Sequence, residues 1–155
     1  MDLITGLPVH ILVIHAVVVL VPLAALGAGL VIFIPKLGPT YTPLVSATIV
    51  ISVITSYIAT ESGEALSERV GLPLAHAEYG ERLFRLVLLF AILFTAWFLL
   101  EKRTNLHAKT KNKLTTTLKV LISITAIGCL ILTVLTGHSG AKASWGQVPD
   151  KISSR

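Results

Sequence analysis

Apolar residues fall into four runs along the chain, at about 9 to 34, 43 to 60, 80 to 100 and 115 to 136. Each is near the roughly 20 residues a helix needs to cross the hydrocarbon of a bilayer. The pattern predicts an all-α protein, an integral membrane four-helix bundle. Pro35, Gly38, Pro39 and Pro43 punctuate the first connection, and Pro43 suits the first turn of the second helix, where its missing N–H costs least. Helix-forming residues continue from Glu61 to Val70 and stop at Gly71, and the third helix is expected to start near Pro73. The second and third helices are therefore expected to extend beyond the membrane. The first run reads as a retained span, because no basic residue precedes it before Lys36 and it exceeds the 7 to 15 apolar residues of a signal peptide.

Composition strengthens the membrane reading. Of the 155 residues 54% are hydrophobic and 14% charged, with a mean hydropathy of +0.82, whereas soluble domains carry about 25% charged residues. The connections are too short for a second domain, so residues 1–155 read as a single four-span unit. The net charge of +5 does not point to nucleic acid, because the basic residues flank apolar runs. Lys36 and the cluster Lys102, Arg103, Lys109, Lys111 and Lys113 share one side, which the positive-inside rule makes cytoplasmic. The expected setting is a plasma membrane, with both termini outside and the lipid bilayer as the main partner. Cys129 is the one cysteine and has no disulfide partner in the chain.

Small or polar residues recur every four positions on the second helix, at Thr48, Ser52, Ser56, Thr60 and Glu64, and on the fourth, at Thr125, Cys129, Thr133, Gly137 and Ala141. Such rows let backbones approach closely, so the second and fourth spans are expected to be neighbours. The competing reading is that the hydroxyls bond carbonyls of their own helix.

Four segments carry the distinctive chemistry: His10 and His15 opening the first run, Glu61-Ser62-Gly63-Glu64-Ala65, His76-Ala77-Glu78-Tyr79-Gly80-Glu81-Arg82-Leu83, and Thr136-Gly137-His138-Ser139-Gly140-Ala141-Lys142-Ala143-Ser144-Trp145-Gly146. Together they resemble a bacterial family of small four-span membrane proteins known as a domain of unknown function, in an actinobacterial-type variant. That family usually has proline directly after its first histidine, where this chain has Ile11 and carries Pro8 before the histidine. The resemblance implies a four-helix membrane fold with the outer-face histidines as signature positions, and it implies no activity.

From the residues themselves, histidine with carboxylate suits a transition metal such as Zn or Cu, and paired histidines on facing helices hold haem b. His10 and His15 point about 140° apart on an ideal helix and sit about 7.5 Å apart along it, so one ion does not take both. The expectation is a metal site from His10, His138, Glu61 and Glu64, with His76 as a further ligand, and His15 with His76 as the pair for a haem. No catalytic residue is expected, since Ser139 beside His138 lacks an orienting carboxylate. The other classes are a non-catalytic accessory subunit of a larger membrane complex, such as a respiratory assembly, and a small transporter or proton relay. A relay is weakened by the absence of ionisable residues from Leu86 to Leu100.

Overall fold

The structure, a computed structural model, describes residues 3–4, 7–70, 74–104 and 113–145. A two-residue strand pair, β1 (Leu3–Ile4) with β2 (Leu7–Pro8), runs antiparallel ahead of four long helices. These are α1 (Val9–Phe33), α2 (Gly38–Val70), α3 (Leu74–Thr104) and α4 (Lys113–Trp145). Each contains a stretch long and apolar enough to span a membrane. At 1.5 Å per residue, the 33 residues of α2 and of α4 reach about 50 Å, well beyond a hydrocarbon core of about 30 Å. The extra length of α4 was not expected from its apolar run.

α2 begins at Gly38, so Pro43 lies inside the helix rather than in its first turn. The helix starts early because Leu37 O accepts the Tyr41 N–H at 2.9 Å. His107, Lys109 and Lys111 fall outside the described residues.

Each helix packs mainly on its two sequence or spatial neighbours, in the cyclic order α1, α2, α3, α4, which leaves α2 and α4 at opposite corners. The expected pairing of the second and fourth spans is therefore corrected. Both small-residue rows do turn inward, with Ser52, Ser56, Thr125, Cys129 and Thr133 buried. Their hydroxyls mostly serve their own helices: Ser52 Oγ donates to Thr48 O at 2.8 Å, Thr60 Oγ1 to Ser56 O at 3.0 Å and Thr133 Oγ1 to Cys129 O at 2.7 Å. A hydroxyl one turn from a helix carbonyl finds it more readily than a partner across the bundle.

The two halves of the molecule repeat each other. On α1 the core positions Val17, Val21, Ala24, Ala28 and Val31 are buried, and sixty-six residues on, Leu83, Val87, Phe90, Phe94 and Trp97 are buried on α3. Val45, Ile49, Ser52 and Ser56 on α2 correspond likewise, at an interval of seventy-seven residues, to Ile122, Ala126, Cys129 and Thr133 on α4. The spacing alternates three and four, the seam of antiparallel helices packed at a shallow angle. It also takes Trp97 into the core, 4% exposed and 5.4 Å from the Phe94 ring, rather than out to an interfacial belt.

Candidate functional site

The repeat extends to the end of the bundle where α1 and α3 begin. His10 donates from Nδ1 to the carbonyl of Ala59 on α2 at 2.9 Å. Its ring lies against Gly63: a Cβ built there would stand 3.0 Å from His10 Cε1 and 3.1 Å from Nδ1. In the second half, His76 donates from Nδ1 to the carbonyl of Thr136 on α4 at 3.1 Å, and a Cβ on Gly140 would stand 2.9 Å from His76 Cε1. Each acceptor carbonyl thus lies four residues before the glycine that carries the ring. A side chain at either position would compete with the imidazole for the space it occupies, and the ring would have to shift.

A serine precedes each glycine and serves the same carbonyl. Ser139 Oγ donates to Thr136 O at 2.9 Å and stands 3.3 Å from His76 Nδ1, while Ser62 Oγ lies 3.3 Å from Ala59 O and 2.6 Å from Ile58 O. The repeated Ser-Gly dipeptide, at 62–63 and 139–140, was the signal in the sequence for these two cradles.

The two cradled rings meet. His10 and His76 are 5.9 Å apart between centroids with an interplanar angle of 85°, an edge-to-face approach, and both are half-buried. A carbonyl oxygen can only accept, so the proton of each neutral ring sits on Nδ1 and the lone pair on Nε2. Metal-binding histidines are held in just this way, by a backbone or carboxylate acceptor on the other nitrogen.

The remaining expected residues lie apart from the pair. His138, Glu61 and Glu64 are exposed. His15 is exposed as well, on another face of α1, with Nδ1 bonded to its own helix at Ile11 O, 2.6 Å away, so it shares no face with His76. Helical phase explains the separations: His138 and Glu61 each precede a cradle glycine by two residues, about 200° around the helix. Among the described residues no three His, Cys, Asp or Glu side chains are grouped to hold a metal ion. Arg82 pairs with Glu78, and Arg85 with Glu81 at 3.4 Å. All four side chains are more than half exposed, so these pairs contribute little.

The profile of the family described as "Predicted membrane protein (DUF2231)" matches residues 6–148, which takes in all four helices and both histidine cradles. The chain belongs to this family. No curated protein and no solved structure matches it. Membership in DUF2231 agrees with the four spans and leaves function to be argued from the residues at the histidine end.

Proposed function

We propose that this protein binds a transition-metal ion, copper or zinc, between His10 and His76, for metal handling or electron transfer at the outer side of a bacterial plasma membrane. The observation that carries the reading is the pair itself: two imidazoles from different helices, 5.9 Å apart, each with Nδ1–H held by a main-chain carbonyl. With metal–nitrogen bonds of about 2.0–2.1 Å, small ring movements bring both Nε2 atoms onto one ion. Copper and zinc both accept imidazole. Water supplies the further donors, because His138, Glu61 and Glu64 lie apart from the pair. The outer placement follows from the opposite end, where Lys36, Lys102 and Lys113 are exposed and where the positive-inside rule sets the cytoplasm.

Haem b is the other occupant that two imidazoles serve. A haem on His15 and His76 asks for a rotation of α1, because His15 is exposed on another face, so the ion on His10 and His76 asks for less movement.

The test is elemental analysis and a visible spectrum, with and without dithionite, of protein purified from membranes. The expected result is one ion per chain, lost in His10→Ala and His76→Ala and kept in His15→Ala. Affinity should fall on acidification, since the imidazoles must be deprotonated to bind the ion. A Soret band abolished by His15→Ala would move the assignment to haem. A colourless, metal-free protein would sink both and leave the accessory-subunit reading.

A further inference from the structure

The outward side of α3 carries Glu78, Glu81, Arg82 and Arg85, all more than half exposed and paired along their own helix. Contacts between helices give the depth of these charges. His10 and His76 meet at one level, the Tyr57 and Phe84 rings are 5.8 Å apart between centroids, and His76 and Leu86 lie against Gly140 and Gly128. Positions 81–85 of α3 are therefore level with 15–19 of α1, with the turn around Tyr57 on α2 and with 130–134 of α4. At that level the other three helices turn apolar side chains outward, with Val19 61%, Ile58 39% and Val134 70% exposed.

If the hydrocarbon stopped at Arg85, the uncharged stretch Leu86–Leu100 would give it only about 22 Å at 1.5 Å per residue, against a core of about 30 Å. The apolar surface of the other three helices at this level would then stand in water. The hydrocarbon therefore reaches past Arg85 and meets a charged surface on α3 alone. Charged side chains at such depth almost always face protein or water rather than lipid. The pattern of charge fits a second copy of the chain. At about 100° per residue, Glu81 and Arg82 stand on opposite flanks of this face at nearly one height, with Glu78 and Arg85 between them. Two copies related by a twofold axis along the membrane normal set the Glu81 flank of one α3 against the Arg82 flank of the other, on both sides of the axis. Glu81 also holds Arg85 of its own helix at 3.4 Å, which offsets the meeting of the two central arginines. Further along, the exposed Leu89, Ile92 and Leu99 continue the same face, where packing contacts hold helices together in lipid.

We infer that the outward face of α3 is where two copies of this chain associate, packed parallel with Glu81 of each beside Arg82 of the other, so that protein rather than lipid covers the charged turn. The ion pairs within α3 add little to the fold of one chain. Their arrangement matters where two such faces meet, and the association requires no metal.

Two measurements test the association. In a Cys129→Ala background, Ile92→Cys is oxidised in native membranes, and Val134→Cys, exposed on α4 at the level of the charges, serves as the control. Ile92→Cys should give a disulfide-linked dimer and Val134→Cys little or none. Equal yields, or no dimer from Ile92→Cys, overturn the surface, and a crosslink of Ile92→Cys to a different protein assigns the face to another subunit and overturns the second copy. Charge reversal in the Ile92→Cys chain then reads the pairing, since reversal sets like charges opposite each other where simple removal does not. Glu81→Arg alone and Arg82→Glu alone should each lower the dimer yield about tenfold. Co-expressed with different tags, the two variants should form a mixed dimer at near the original yield, because each reversed flank then faces its opposite. Recovery in the mixture also shows that neither variant has misfolded. Single variants that dimerise like the parent, or a mixture that does not recover, overturn the pairing of Glu81 with Arg82.

Discussion

In the first half of the bundle α1 lines the core with Ala24, Ala28 and Val31, while in the second half α3 puts Phe90, Phe94 and Trp97 at the matching positions. Small side chains on one helix leave the volume that large ones on the other fill, which is how a core reaches close packing from unequal parts. At the histidine end there is no such exchange. Each half there has the same set, a histidine, a carbonyl one turn away, a serine and a glycine. Volume can be traded between helices because only the total matters to packing. A ring seated on a backbone with its Nδ1–H on one carbonyl cannot be traded, because both members must be present in the same half. The difference locates the shared chemistry at the histidine end and assigns the middle of the bundle to packing.

The largest effect is expected from breaking the volume exchange. Phe94→Ala should lose about 3–5 kcal/mol, measured by unfolding in detergent, and Ala28→Phe alone about 1–3 kcal/mol through overpacking. The double variant should recover part of the loss. Strict additivity of the two would mean that the matched positions do not share one core.

Equivalence of the cradles is tested next. Gly63→Val and Gly140→Val each place a side chain where the imidazole stands, at 3.0 and 2.9 Å for the Cβ alone. Each should cost about 1–3 kcal/mol and break the edge-to-face contact of the two rings, visible as a change in the histidine carbon-bound proton shifts. A large penalty in one half with none in the other would end the description of the site as a repeat.

A smaller difference separates the halves at the opposite end. Lys119 on α4 stands over the Trp97 ring at 5.8 Å, whereas its counterpart Thr42 on α2 bonds Gly38 O. Lys119→Met should lower stability by about 0.5–2 kcal/mol, between the size of an exposed and of a desolvated cation–π contact, because Trp97 is buried. The smallest effect concerns Arg82 and Arg85, whose ion pairs with Glu78 and Glu81 have no counterpart at Ala16 and Val19 of α1. Replacing either arginine by alanine should change the melting behaviour by no more than about 0.5 kcal/mol, and a larger loss would give the second half an electrostatic role that the first lacks.

Much of the fold was legible along the chain, because spans announce themselves by length and hydropathy, and Val9–Phe33 shows both. Helix ends were less so. α4 runs on to Trp145 through small and polar residues that hydropathy does not count as span. The site was half legible. His10 and His76 stood out as ionisable groups beside apolar runs, but His138, Glu61 and Glu64 did so equally, and sequence position alone does not say which of them face each other. The repeat was hidden because the matched core positions differ in residue type, alanine against phenylalanine, and agree only in burial.

By itself, the order of residues determined that this chain forms four apolar helices, where they run, and which end of the bundle collects histidine and carboxylate, since these depend on local composition and on the width of a bilayer. The tertiary structure decided that His10 meets His76 while His15 and His138 remain exposed, that α2 and α4 stand at opposite corners, and that Gly63 and Gly140 carry the rings. Those outcomes depend on the rotation of each helix about its axis. A turn of 100° per residue is set only when the core positions of all four helices pack together.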